Sequence, residues 1–141
     1  KPDQYRCTAL LGVDPGSSVY VPDCENHRIM KFDPDGNLLL TFGAFGNGPD
    51  EFNFPVSVAI DHSGNLYIAD SRNARVQVFD SAGMHLATWD GSDSGDGEFT
   101  ETSAVALDGL GNIYISDYGD GALHKLQLQP PLLPAASTPA P

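Results

Sequence analysis

The stretch NLYIAD at residues 65–70 recurs as NIYISD at residues 112–117, an offset of 47 residues (112 minus 65). The same step back from Tyr67 reaches Tyr20, within the run VYVPD at residues 19–23. Other positions repeat at this offset without gaps: Asp14, Asp61 and Asp108; Ile29, Val76 and Leu123; Phe32, Phe79 and Leu126; Tyr5, Phe52 and Phe99. Three copies of 47 residues account for all 141 residues, and a fixed period of this kind indicates a repeat protein.

Each copy is composed of short β-type runs rather than helices. In the middle copy, runs rich in β-branched and aromatic residues cover 56–60, 66–69, 75–79 and 85–89. Gly, Asn, Asp and Ser residues separate these runs, as is typical of strands joined by tight turns. Four strands in a repeat of about 40 to 50 residues are the signature of a β-propeller blade.

The sequence therefore predicts an all-β fold of β-propeller blades. Residues 1–129 would form three tandem four-stranded antiparallel sheets, at about 5–51, 52–98 and 99–129. We expect the third blade to be incomplete, because proline cannot donate a hydrogen bond to a sheet ladder and the repeat ends in a Pro-rich tail at 130–141.

The repeat resembles the NHL family. The residues that carry this resemblance are IADSRNARVQVFD at 68–80, preceded by GNLY at 64–67, together with DCENHRI at 23–29 in the first copy. The third copy follows the pattern to Asp117 and then departs, with Ala122 at the position of an arginine. The resemblance implies blades of a propeller that usually closes with six, serving mostly as a binding platform, although some relatives are lyases.

Two blades carry the same polar set. Asp23 precedes Arg28 by five residues, Asp70 precedes Arg75 by five, and an Asn lies between the partners in both copies. We interpret each set as a structural ion pair with an Asn bracing the turn, because a catalytic group rarely repeats in every blade. Asp117 lacks its arginine, so the third blade should be looser or should use a group from a partner.

Cys7 and Cys24 are the two cysteines of the chain. They flank a predicted hairpin that turns near residues 15–16, which puts them within about one register step of directly opposite positions. Side chains on opposite strands are close enough to bond after modest adjustment. We predict a disulfide that pins the open end of the first blade, and hence an oxidising compartment. Two buried thiols are the alternative.

The aromatic residues Tyr20, Tyr67 and Tyr114 lie in the middle of predicted strands, beside apolar neighbours. We expect them to pack between blades while each hydroxyl finds a polar partner.

Catalytic and metal-binding motifs are largely missing from the sequence. The four histidines occupy four different repeat positions and lack zinc-site spacing, so we assign them to packing or to the surface. No Gly-x-Ser-x-Gly motif or phosphate-binding glycine loop occurs. The best metal candidate is the acidic loop with Asp90, Asp93, Asp96 and Glu98, whose carboxylates could bind Ca²⁺ although their spacing does not fit an EF-hand. We otherwise expect no cofactor and no catalytic residue.

The charge balance argues against several partners. Seven Lys and Arg residues stand against nineteen Asp and Glu residues, for a net charge of −12. Most of this surface would repel a phosphate backbone or an anionic membrane, which disfavours nucleic acid and RNA in particular. No run approaches the roughly 20 apolar residues of a membrane helix, so membrane insertion is not expected.

The tail has two interpretations. It is a polyproline-like linker, or it docks along the sheet edge or groove of a neighbouring subunit. The residues that we expect to serve assembly in the second case are Pro130, Pro131, Leu132, Leu133 and Pro134.

Three blades leave two blade faces without a neighbour, and such surfaces invite pairing. Two chains could close a six-bladed ring, contacts could continue into a filament, the blades could pack alone, or the chain could be half of a longer one. The prediction is a non-enzymatic module for self-assembly or protein binding, forming an extracellular or cell-surface homo-oligomer or filament. The alternative is half of a propeller lyase or hydrolase with a metal in the central channel.

Overall fold

The computed structural model describes residues 7–92, 97–129 and 133–134. Its main elements are three four-stranded antiparallel sheets, in each of which the strands follow one another in chain order. The predicted all-β blade architecture is therefore confirmed. No helix in the described ranges is long and apolar enough to span a membrane.

The first sheet contains a very short inner strand. Its strands are β1 (Gly12–Val13), β2 (Val19–Asp23), β3 (Arg28–Phe32) and β4 (Leu38–Phe42). Beyond β1, Leu10 connects this sheet to the next one: its N–H donates to the carbonyl of Val56 and its carbonyl accepts from the N–H of Val58, both at 2.9 Å. The inner strands of neighbouring blades thus lie side by side.

A two-residue parallel pair joins the first blade to the second. It consists of β5 (Ala44–Phe45) and β6 (Glu51–Phe52). The second sheet follows with β7 (Pro55–Ile60), β8 (Leu66–Asp70), β9 (Arg75–Phe79) and β10 (His85–Trp89). These bounds agree with the four predicted runs to within one residue at each end.

The third sheet has a fourth strand, but a very short one. Its strands are β11 (Thr102–Leu107), β12 (Asn112–Asp117), β13 (Ala122–Gln129) and β14 (Leu133–Pro134). Strand β14 pairs only with Leu128 and Gln129 at the end of β13. Within the described residues, the outer strand of this blade covers Leu133–Pro134, which lies in the segment that the sequence assigns to the Pro-rich tail.

The turns that join the strands repeat as well as the strands do. The turn between the first two strands of each blade contains a left-handed residue, Ser17 in the first copy and Gly64 and Gly111 in the others, with φ of 68°, 84° and 89°. Glycine adopts this conformation without steric cost. The spacing of these residues is again 47, so the repeat is local backbone geometry as well as composition.

Candidate interaction surfaces

The first internal interface joins blades 1 and 2. Tyr20 and Ile29 of blade 1 are fully buried against a cluster from blade 2 that consists of Phe52, Val58, Leu66, Ile68 and Phe79. Each blade therefore has two faces. We call the face with Tyr20 the forward face and the face with Val58 the backward face.

The second internal interface repeats the first one at the same offset. Tyr67, Ala69, Val76 and Val78 of the forward face of blade 2 are buried against the backward face of blade 3. The blade 3 residues are Phe99, Val105, Ile113, Ile115 and Leu126, each 47 positions after its counterpart in blade 2. Apolar burial between blades is the main stabilising contact of this fold.

The backward face of blade 1 has no preceding blade in the described structure. Leu11 and Val13 on this face are 57% and 56% exposed. The residues at the position of Leu11 in the next two blades, Val58 and Val105, are only 4% and 6% exposed. An apolar side chain that two blades bury is thus left in solvent in the first blade.

The forward face of blade 3 is the opposite end of the row. Leu123 is 56% exposed there, whereas Val76 and Ile29 at the same repeat position are fully buried. Tyr114 and Lys125 share this face, and the Lys125 ammonium lies 5.7 Å from the centre of the Tyr114 ring. The sequence predicted that two blade faces lack a neighbour but did not identify their residues. The 47-residue offset identifies these residues once the internal interfaces are known.

The ion pair of blade 2 is buried and multiply bonded. Arg75 Nε donates to Asp70 Oδ2 at 2.7 Å, and Asp70 is completely buried. Asn73 and Gln77 donate to the same oxygen at 2.9 and 3.1 Å, and the N–H of Asn53 donates to Oδ1 at 2.7 Å. The arrangement closes the turn after β8 and leaves no free face for a ligand, which supports a structural role.

The ion pair of blade 1 has the same geometry with more solvent. Arg28 Nε donates to Asp23 Oδ2 at 2.7 Å, and Asn26 braces the carboxylate at 3.0 Å. The Arg28 side chain is 32% exposed, against 11% for Arg75. Both predicted pairs are therefore present in the structure, each across directly paired residues of two adjacent strands.

The third blade satisfies its aspartate without an arginine. The Thr100 hydroxyl and the N–H groups of Thr100, Glu101 and Gly119 all donate to Asp117, at 2.5 to 3.0 Å. Burial of Asp117 alone would raise the pKa of its carboxyl, but these four hydrogen bonds outweigh burial and hold the pKa below its ordinary value. The expectation of a group from a partner is thus not needed, because the blade supplies its own donors.

A cluster of Asp117, Asp120 and His124 brings three possible metal-ligand atoms within 4.8 Å of one another. His124 Nε2 lies 3.8 Å from Asp120 Oδ2, and its ring packs against Phe99 at 5.1 Å. The four hydrogen bonds to Asp117 leave that carboxylate little capacity for a cation. We interpret the cluster as the polar network of the third blade, in which His124 has a packing role.

The acidic loop after β10 is only partly described. Asp90 Oδ1 accepts hydrogen bonds from the N–H and the hydroxyl of Ser92, at 2.9 and 2.5 Å, which together lower the pKa of Asp90. Asp93 and Asp96 lie outside the described residues, and Glu98 is exposed. The calcium candidate therefore stays a prediction.

The hydroxyls of the repeated tyrosines Tyr20, Tyr67 and Tyr114 each point to the aspartate that begins the preceding turn. Tyr67 donates to Asp61 Oδ2 at 2.9 Å, and Tyr20 and Tyr114 lie 3.2 and 3.5 Å from the equivalent oxygens. Burial and the hydrogen bond to Asp61 raise the pKa of Tyr67 well above its ordinary value. The predicted packing between blades with a polar partner is present for Tyr20 and Tyr67, whereas Tyr114 keeps the polar partner but is only half-buried, on a face that no described blade covers.

The predicted disulfide is present between Cys7 and Cys24, with a Cα–Cα distance of 6.1 Å. Cys24 begins the short 3₁₀ turn after β2, whereas Cys7 precedes the inner strand and lies outside it. The bond holds the start of the described chain to the turn that follows Asp23. It thus fastens the first blade at its open end.

Only part of the predicted assembly tail is described. Leu133 and Pro134 form β14, whereas Pro130, Pro131 and Leu132 lie outside the described residues. The choice between linker and docking segment therefore stays open.

Comparison with known families gives one match. Residues 52–79 match the NHL repeat, and this segment extends from β6 through β9. Among curated proteins, none matches the chain.

Solved structures resemble the chain in fold. A streptogramin B lyase structure superposes with a TM-score of 0.69 at 11% identity, covering 93% of this chain and 40% of the lyase. The RRP9 WD40 repeats give 0.68 at 14% identity, covering 92% of this chain and 38% of the other. A structural genomics protein of unknown function from Bacteroides thetaiotaomicron gives 0.63 at 22% identity, covering 77% and 32%. The chain thus spans less than half the length of these structures, and the likeness is one of fold.

Proposed function

Because this chain carries an NHL repeat at residues 52–79 within a row of propeller-type blades, we propose that it is a non-enzymatic binding module that associates with further copies of itself through its two end faces. The observation that carries the proposal is the exposure of Leu11 and Val13 on blade 1, at positions that are buried or half-buried in the other blades.

The exposed side chains of the two end faces can gain free energy by burial, as their counterparts do at the internal interfaces. Complete burial of a Val, Leu or Ile side chain stabilises by about 1.5–3 kcal/mol, and a side chain that is half exposed can still gain about half of that. Leu11, Val13 and Leu123 together therefore offer several kcal/mol to any partner that covers them. A blade of the same repeat is shaped to do so, because it covers the equivalent positions within this chain.

The same contact between the end faces of two copies could build either a ring or a filament. If the forward face of blade 3 packs on the backward face of blade 1 of another copy, two chains close a six-bladed ring through two such contacts. If the rotation between copies does not close, the same contact continues as a filament. The disulfide supports an oxidising environment, and we place the assembly outside the cell or at its surface on that ground.

The test is the solution mass of the protein over a range of concentrations, for wild type and for Leu11→Asp. A buried aspartate opposite an apolar face would abolish association, so the variant should be monomeric where wild type is not. Leu39→Asp is the matched control. Leu39 is 55% exposed, and its counterpart Leu86 in the internal blade is also 45% exposed, so this position is not part of an end face.

We expect Leu39→Asp to associate like wild type. At a concentration low enough for all three proteins to be monomeric, both variants should have the melting temperature of wild type. A wild-type mass of one chain at every concentration would overturn the proposal. So would an equal loss of association in both variants.

A further inference from the structure

A lysine and a tyrosine on the forward face of blade 1 form polar contacts with blade 2. Lys31 Nζ donates to the carbonyl oxygen of Ser81 at 3.2 Å, and the Tyr20 hydroxyl lies 3.4 Å from the same oxygen. The Lys31 ammonium is 5.2 Å from the centre of the Tyr20 ring. We call these three residues the latch.

The carbonyl in the latch belongs to a tight turn between β9 and β10. The N–H of Asp80 donates to the carbonyl of Met84, and Asp80 Oδ1 accepts from the N–H groups of Ala82 and Met84, each at 2.9 Å. None of these bonds uses the Ser81 carbonyl. The Ser81 carbonyl is left to accept from the preceding blade.

The same lysine–tyrosine pair recurs in blade 3, where no blade follows in the described structure. Tyr114 and Lys125 lie two repeats after Tyr20 and Lys31, with the ammonium again over the ring. Among the described residues, Lys125 Nζ has no hydrogen-bond acceptor. Blade 2 has Val78 at this position, buried against blade 3, so the lysine is not a fixed feature of the repeat.

Blade 1 carries the matching turn. The N–H of Asp33 donates to the carbonyl of Asn37, and Asp33 Oδ1 accepts from the N–H groups of Asp35 and Asn37, as in the turn after β9. Pro34 thus occupies the position of Ser81, in an exposed turn that has two carboxylates beside it. Those carboxylates complement the charge of a lysine. By the 47-residue offset, the turn corresponds to the one after β9, whose Ser81 carbonyl meets the preceding blade.

We propose that Lys125 and Tyr114 of one copy bind the turn at residues 33–36 of the next copy, with the Pro34 carbonyl as acceptor and Asp35 as the charge partner. The inference rests on the proposed self-association and assigns its polarity: blade 3 of each copy receives blade 1 of another. This polarity follows because Lys125 lies on the forward face of blade 3, whereas the acidic turn that it would bind lies in blade 1.

The test is a charge swap, read as the dissociation constant of the assembly. Lys125→Glu should weaken association about tenfold or more, because it sets like charges against each other. Asp35→Lys should also weaken it, although this change brings the net charge from −12 toward zero and would otherwise favour association. The double variant has the wild-type net charge and should recover most of the wild-type affinity.

A second measurement does not depend on any variant. A zero-length amine-to-carboxylate cross-linker applied to a mixture of ¹⁵N-labelled and unlabelled protein should join Lys125 of one copy to Asp33 or Asp35 of another. The chain has three lysines, so the linked peptides are readily assigned.

The outcomes separate the two proposals. Wild-type association with tighter binding by Asp35→Lys, no recovery in the double variant and no such cross-link would overturn the proposed contact between Lys125 and the turn at residues 33–36, and would leave self-association standing. A monomeric wild type would overturn both.

Discussion

Replacing Arg75 with methionine is expected to lower the free energy of unfolding by about 3–5 kcal/mol, the cost of removing one partner from a buried ion pair. Asp70 is completely buried and would lose the guanidinium that lies 2.7 Å away. The same guanidinium also donates to the backbone carbonyls of Asn47, Gly48 and Glu51, each at 2.8 Å, so the linker between blades 1 and 2 would lose three bonds as well.

Arg28→Met is the matched control, because it removes the same side chain from the same position of blade 1. The Arg28 side chain is 32% exposed, and among the described residues it donates to Asp23. Water can replace part of what is lost, so we expect a cost of about 1–2 kcal/mol.

Urea unfolding followed by the fluorescence of Trp89 measures both variants, since Trp89 is the one tryptophan of the chain and is buried between blades 2 and 3. At about 3–5 °C per kcal/mol, Arg75→Met should also lower the melting temperature by about 9–25 °C. All proteins must be compared at one concentration, because association adds to apparent stability. A cost for Arg75→Met no larger than that for Arg28→Met would refute the reasoning from burial.

Three further changes test single contacts. Burial and the hydrogen bond to Asp61 raise the pKa of Tyr67 in the folded state, so its contribution to the free energy of unfolding should be complete below about pH 10 and fall as the pH rises further. In melting curves, Tyr67→Phe should reduce this loss of stability at alkaline pH, and an unchanged slope would contradict the assignment. The folded pKa of Asp117 is lowered, so its contribution should be present above about pH 4 and disappear as the pH falls through the folded value; an acid titration of Asp117→Asn that matches wild type would argue against it. Reduction of the Cys7–Cys24 bond, which closes a loop with a sequence separation of 17, should cost about 3 kcal/mol, and equal urea midpoints with and without reductant would show that the bond contributes nothing.

Local features were predictable from the sequence because they depend on neighbours along the chain. The strands of blade 2 follow from β-type runs that are separated by turn residues. Asp70 forms an ion pair with Arg75 because a short turn places the two residues directly opposite each other on adjacent strands. The disulfide follows from the same hairpin logic in blade 1.

The substitute for the missing arginine of blade 3 could not be predicted in this way. Three of the four donors to Asp117 come from Thr100 and Glu101, 17 and 16 residues earlier, and three of the four are backbone N–H groups. Every residue except proline has such a group, so the sequence carries no signal of which one will be used. Likewise, Lys31 meets a carbonyl 50 residues away, on another blade.

The sequence by itself determined the period of 47, the four strands of the middle blade and the polar pair that closes two of the blades. Only the tertiary structure decided which copies of an equivalent residue are buried. Leu11, Val58 and Val105 share one repeat position, and whether each is exposed depends on whether another blade stands before it. The physical reason is that a blade face is covered by the neighbouring blade and not by its own strands. The burial of a residue therefore depends on the position of its blade among the three and not on the repeat sequence alone.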